Sequence, residues 1–138
     1  MTSVRRLEHI GIAVNDINSV LPFYLERMGL TLAWEEDVPE EKVKIAMLSA
    51  GDVYIELLEP TSSESSVYKF LQKRGEGLHH IAFEVEDVDS AVTELREKEI
   101  KIVYSHAKSI GNKRKINFIH PSSSHGVLVE LIKRYKLG

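Results

Sequence analysis

The chain has 138 residues, 43% of them hydrophobic, which is enough for one compact domain with a core and too short for two ordinary ones. Its 18 basic and 21 acidic residues give a net charge of −3 with no dominant basic block, so nucleic acid and membrane surfaces are not expected as partners. The absence of cysteine rules out disulfides and thiolate metal sites, so any metal would be held by imidazole and carboxylate.

Met1 to Arg6 lacks the apolar run of a secretory signal, and no stretch approaches the roughly 20 apolar residues of a membrane span, so a soluble cytoplasmic protein is expected. In chain order, residues 7–14 read as a β-branched strand. Ser19 fits as the N-cap of a helix with Pro22 in its tolerated first turn, and Gly29 stops it. Strands follow near 30–36, 42–49 and 52–58, separated by Pro39 and by the Ala50-Gly51-Asp52 turn. Thr61 to Glu64 is a loop, and Ser66 caps a short helix, Val67 to Lys73, that ends at Gly75. A strand at 78–85, a helix from about Ser90 to Lys98, and strands near 100–105, 115–120 and 126–133 complete the chain.

The second series repeats the first. LEHIGIAVNDINSV from Leu7 lies on LHHIAFEVEDVDSA from Leu78, with His9/His80, Ile10/Ile81, Val14/Val85, Asp16/Asp87 and Ser19/Ser90 identical at an offset of 71. Val53-Tyr54-Ile55-Glu56-Leu57-Leu58 lies on Val127-Leu128-Val129-Glu130-Leu131-Ile132 at an offset of 74, a three-residue difference that a loop can absorb. The expected architecture is therefore one α+β domain over residues 1–138, made of two tandem βαβββ modules (about 6–60 and 77–134) joined by a short helix (about 66–74).

Side chains on a strand alternate faces, and parity sorts each polar residue from its neighbours. Ile10, Ile12 and Val14 share one face and His9, Gly11 and Ala13 the other; Ile81, Phe83 and Val85 likewise oppose His80, Ala82 and Glu84. Small neighbours leave room beside each imidazole. Glu56 and Glu130 sit mid-strand among large apolar groups, where an ionised carboxylate needs a cation or a proton. A lone strand histidine is more often structural, but histidine and glutamate coincide in both halves with matching parity. That points to His9, Glu56, His80 and Glu130 as the ligands of one octahedral divalent ion such as Mg²⁺, Mn²⁺ or Co²⁺, with positions left for two substrate oxygens. His79, one residue from His80, faces the other way, and His106, His120 and His125 lie near strand ends or loops.

The stretches LEHIGIAV, YIELLEP with its Ser-rich sequel, FLQKRGEGLHHIAFEV and INFIHPSSSHGVLVEL resemble the vicinal oxygen chelate superfamily (the glyoxalase/bleomycin-resistance group), and within it the methylmalonyl-CoA epimerases, from about Arg6 to Lys133. The resemblance implies that the two modules pair into one curved, mixed eight-stranded sheet around a metal cavity, in a homodimer. It also implies an isomerase acting on a coenzyme A thioester: the 2R and 2S epimers of methylmalonyl-CoA would interconvert through an enolate, assisted by one divalent ion per chain, Co²⁺ ahead of Mn²⁺ or Mg²⁺. Glu130 matches a family glutamate that is both metal ligand and acid/base. Some members carry a second catalytic glutamate on the third strand; here the equivalent is Lys44, or Ile45 if no gap is placed, and Lys44 is taken as the second acid/base, ahead of a bound water or of Glu41 in the turn. For the coenzyme A tail the cationic Lys113-Arg114-Lys115 group, in a loop before the seventh strand, is the expected contact, with Asn117 and His120 lining the pocket.

Rival readings share the architecture. A glyoxalase I-like lyase acting on a glutathione hemithioacetal would use the same fold and metal, because function resides in the pocket. A two-His, one-carboxylate dioxygenase fits less well, because Glu56 supplies a second carboxylate. A metal-free small-molecule binding protein would not need both glutamates and would carry more aromatics.

Overall fold

The computed structural model describes residues 3–135. β1 (Val4–Ala13), β2 (Thr31–Val38), β3 (Val43–Ala50), β4 (Val53–Pro60), β5 (Gly77–Val85), β6 (Lys108–Ile110), β7 (Arg114–Ile119) and β8 (Val129–Arg134) form the expected mixed eight-stranded sheet, in the order β2-β3-β4-β1-β5-β8-β7-β6. The helices are α1 (Ile17–Leu21), which runs into a π-helical turn at Pro22–Arg27, α2 (Ser66–Arg74) and α3 (Val88–Glu97).

The described residues fall into two compact units, one from His9 to His79 and one joining the residues up to Glu8 with those from His80 onward. In the first, β1 pairs parallel with β4, and β3 lies antiparallel to both β4 and β2. Ile12, Ile55, Leu57, Ala46 and Leu48 pack beneath α1 through Ile17, Val20 and Leu21, on the face that strand alternation assigns them. The second repeats the scheme: β5 is parallel to β8, and β7 antiparallel to β8 and β6. There Val85 and Leu131 pack against Val88, Ala91 and Val92 of α3. In each unit one face of the strands is thus committed to the helix, and the polar residues of the opposite parity are left to the other face.

The first helix starts three residues earlier than an N-cap at Ser19 implies, and the helix expected from about Ser90 starts at Val88. Asp16 and Asp87 are the N-caps, and the two serines occupy the third helical positions. Asp87 accepts a hydrogen bond from the backbone N–H of Ser90 at 2.9 Å, satisfying a donor that the first turn leaves orphaned. Because α1 begins at Ile17, Pro22 falls beyond its first turn. A proline there has no N–H for the helical ladder, and the chain widens into the π-helical turn, closed by the Met28 N–H donating to the Phe23 carbonyl. The α2 cap is Ser65, whose hydroxyl accepts from the Val67 N–H, in place of Ser66.

The expected strand at 100–105 does not form. Residues 101–107 make a single bridge, Ile102 with Ile119, and the sixth strand is the short β6. Side chains take the backbone groups that a ladder would have used: Asn117 bonds both the N–H and the carbonyl of Tyr104, and the Arg96 guanidinium donates to the carbonyls of Tyr104 and Ser105.

The Asp87 cap makes one prediction. The Ser90 backbone N–H holds the Asp87 carboxyl below its usual range, so the stabilisation is present above the unfolded pKa of about 3.9 and is lost as pH falls through the folded value. Asp87→Ala is expected to lower the urea midpoint at pH 7, with the gap to the parent closing as the medium is acidified below about pH 4. Asp87→Asn, which keeps the acceptor oxygen, should retain most of the midpoint at neutral pH.

Candidate metal centre

His9 lies on β1, which is parallel to β4, and the residue directly opposite Glu56 is Gly11. The absent side chain at Gly11 lets the imidazole two residues earlier reach the carboxylate, and His9 Nε2 stands 3.5 Å from Glu56 Oε1. The other unit reproduces this arrangement. Ala82 opposes Glu130 in the β5–β8 ladder, and His80 Nε2 is 3.0 Å from Glu130 Oε1. All four side chains are buried, with His9 only 1% exposed. One ligand atom from each of the four lies within 4.8 Å of every other.

Two neutral imidazoles and two ionised carboxylates in so small a buried space would carry two negative charges without a counterion, an arrangement that costs several kcal/mol or more unless a cation is present. Nitrogen and oxygen donors without sulfur suit a divalent ion of intermediate to hard character. The cluster fits a divalent metal site.

Two aromatic features escaped the sequence reading. Phe118 is paired with Glu130 in the β7–β8 ladder and meets the His80 ring edge-on, with centroids 5.9 Å apart. Trp34, paired with Met47 and through it with Glu56, meets Tyr54 at 5.2 Å. Both were accessible in principle, since alternation along β7 and β2 places them on the glutamate face. His79 turns away from the cluster and stacks edge-on against Phe70 of α2 at 5.0 Å.

Lys44 requires a correction. In the β3–β4 ladder Lys44 opposes Glu59 and Ala46 opposes Leu57, whereas Ile45 opposes Leu58 and Met47 opposes Glu56. Directly opposed residues share a face, so Lys44 leaves the sheet on the side of α1, away from Glu56. The β3 position on the Glu56 face is Ile45, which has no proton to move. The Glu41 carboxyl belongs to a 3₁₀ turn, Pro39–Glu41, outside the strand.

The cationic group is also not a loop cluster. Arg114 and Lys115 open β7, and alternation sends them to opposite faces. Arg114 is buried, and Lys115 Nζ lies 2.8 Å from Asp89 of α3, a bond that raises the lysine pKa. Lys113 alone lies in the turn between β6 and β7, and it is exposed. Asn117, fully buried, spends its amide on the Tyr104 backbone. His120 caps the 3₁₀ turn Pro121–Ser123, its Nδ1 accepting from the Ser122 N–H at 3.0 Å.

The chain belongs to the Glyoxalase/Bleomycin resistance protein/Dioxygenase superfamily, whose family model matches residues 8–118. It is similar to the mitochondrial methylmalonyl-CoA epimerase of Bos taurus, with 36% identity covering 91% of this chain and 73% of that protein. The ethylmalonyl-CoA/methylmalonyl-CoA epimerase of Cereibacter sphaeroides is 34% identical over 93% of this chain and 97% of the relative. Among solved structures, a variant of the Streptomyces coelicolor methylmalonyl-CoA epimerase in complex with 2-nitronate-propionyl-CoA superposes with a TM-score of 0.89. Its identity is 39%, covering 94% of this chain and 97% of that one.

Proposed function

We propose that the protein is a methylmalonyl-CoA epimerase that interconverts the 2R and 2S epimers by removing and returning the α-proton. The supporting observation is the coincidence of a buried His/Glu cluster with similarity along more than nine-tenths of the chain to epimerases, one of them holding an acyl-CoA nitronate. A nitronate carbon is planar and its oxygens carry negative charge, as in an enolate, so it mimics the state the reaction must stabilise.

His9, Glu56, His80 and Glu130 would hold one divalent ion, Co²⁺ ahead of Mn²⁺ or Mg²⁺. When bound, such an ion supplies positive charge where the thioester and carboxylate oxygens of the substrate gain electron density. The chain's own groups then have to orient the acyl moiety and move the proton. Glu130, close to His80 and walled by Phe118, would accept the α-proton from one face of the carbon. Lys113, in the turn between β6 and β7, is the chain's candidate for a coenzyme A phosphate, and Asn117 and His120 hold the Tyr104 backbone and the Pro121–Ser123 turn. The reading is of one functional domain composed of two repeats, with a homodimer and a cytoplasmic location going with it.

The test is proton exchange at the α-carbon of methylmalonyl-CoA in heavy water, followed by NMR on metal-stripped protein with and without Co²⁺. Metal-dependent exchange together with epimerisation is the expected result. Absence of exchange with Co²⁺, Mn²⁺ and Mg²⁺ alike overturns the assignment, and turnover of a glutathione hemithioacetal by the same samples would replace it with a glyoxalase.

A further inference from the structure

The two halves of the metal centre are flanked differently. In the first unit β2 runs for eight residues beside β3, and the ladder sets Trp34 opposite Met47, which opposes Glu56. In the second unit Phe118 holds the place of Met47, opposite Glu130. The edge beside it is interrupted. Six residues separate Ile102 from Lys108, but three separate their partners on β7, Ile119 and Ile116, so three residues leave the register between them.

Asn117 and Phe118 lie in that gap. Asn117 is 0% exposed and opposes Leu131, where the first unit has Ala46 opposite Leu57. An amide buried where the other half carries a methyl group costs about 1–3 kcal/mol unless its polar atoms are bonded. Here they are bonded across the gap. The Asn117 Oδ1 accepts from the Tyr104 N–H at 3.1 Å and from the Phe118 N–H at 2.8 Å, and Nδ2 donates to the Tyr104 carbonyl at 3.1 Å. One side chain thus replaces the missing rungs and ties the strap of residues 101–107 to β7 beside Phe118.

With its backbone held, Tyr104 sets its ring edge-on to Phe118, the centroids 5.8 Å apart and the planes at 86°. Phe118 meets the His80 ring in the same manner, at 5.9 Å and 88°. The torsion that turns an imidazole about its own bond has broad minima. A ring packed against it narrows them, and that ring is as firm as whatever backs it. The contacts run from Asn117 through Tyr104 and Phe118 to His80 inside one compact unit.

We propose that Asn117 is a positioning residue of the metal centre. By holding the Tyr104 backbone it seats the Tyr104 ring against Phe118, and Phe118 in turn fixes the His80 imidazole for the ion. This role rests on the reading of His9, Glu56, His80 and Glu130 as metal ligands and is independent of which acyl substrate the protein takes.

Three quantities test it: Co²⁺ affinity by calorimetry, the visible absorption of the Co²⁺ protein, which reports ligand geometry, and the urea midpoint. Asn117→Ala is expected to bind Co²⁺ about 10-fold more weakly than the parent, with a shifted absorption band. Tyr104→Ala, which keeps the Asn117 bonds to the backbone, should reproduce both changes. The double variant should add little to either, because both substitutions break one series of contacts. Tyr104→Phe, which keeps the ring, should match the parent. Asp87→Ala removes a helix cap in the same unit and lowers the urea midpoint, yet it should leave affinity and spectrum at parent values. Parent-like affinity and spectrum in Asn117→Ala or in Tyr104→Ala, whatever the midpoint, overturn the proposal. Equal weakening in Asp87→Ala also overturns it, since the effect would then be one of general stability. If Asn117→Ala does not fold, Tyr104→Ala decides in the same terms. A parent protein that binds no divalent ion fails at the metal-site reading itself and removes the role with it.

Discussion

Glu130→Gln is expected to lower kcat for epimerisation by about 10² to 10⁴, the span ordinarily attributed to a positioned acid/base. The amide is nearly the same shape as the carboxylate and leaves the Phe118 and His80 packing intact, but it cannot carry a proton to or from carbon. It is also a weaker, uncharged metal donor, so Co²⁺ affinity should fall in the same variant. The matching change in the other half separates the two effects. Glu56 sits in an equivalent buried pair but is not assigned a proton, so Glu56→Gln should weaken metal binding comparably and cost far less in kcat once Co²⁺ is saturating. Isothermal titration beside α-proton exchange checks both, and equal kcat losses for the two variants at saturating metal would contradict the division of roles.

Glu8→Ala should be the most destabilising single change outside the metal centre. Glu8 is fully buried and receives both a Nε–H and a Nη2–H bond from Arg134, the latter at 3.1 Å. In the β7–β8 ladder Arg134 stands directly opposite Arg114, itself buried. Without the Glu8 carboxylate, the Arg134 guanidinium, opposite Arg114 in the ladder, loses this anionic partner. Breaking a buried ion pair from one side costs about 3–5 kcal/mol, which for a chain of this size lowers the thermal midpoint by roughly 10–20 °C. Replacing both partners, as in Glu8→Leu with Arg134→Leu, should recover much of the loss, because two apolar side chains leave no charge behind. Calorimetric scans of the single and double variants test this, and a single variant within 1 kcal/mol of the parent would show that the pair is solvated.

The metal cluster was legible because the chain contains it twice. A single strand histidine says little, but His9 and His80 at one offset and Glu56 and Glu130 at another, each with the same parity relative to its apolar neighbours, leave few alternatives. The α+β class and the eight strands followed from the same repetition. Where the reading failed, the cause was a local competitor. Ser19 looked like a cap, yet Asp16 takes that role, as Asp87 does in the second half; Asp16 accepts from the Asn18 N–H and Asp87 from the Ser90 N–H. Ile100, Ile102 and Tyr104 alternate like a strand, but Asn117 and Arg96 bond that backbone first. Lys44 shows how sharply parity cuts, because choosing it over Ile45 moved the second acid/base to the wrong face of β3.

The unpaired stretch between Ile100 and β6 also constrains how this chain could have lengthened over its history. The offset between the halves grows from 71 at the histidines to 74 at the glutamates, so an odd number of residues was gained or lost along the way. Inside a ladder, an odd insertion turns every later side chain to the opposite face, and Glu130 would have been delivered to α3 instead of to His80. Residues 101–107, tied down by a single bridge and a few side chains, form a segment where such a change does not disturb the phase of the strands. A change of length there leaves the phase of β7 and β8 intact, whereas an odd change inside β5, β7 or β8 would turn the later side chains of that strand over.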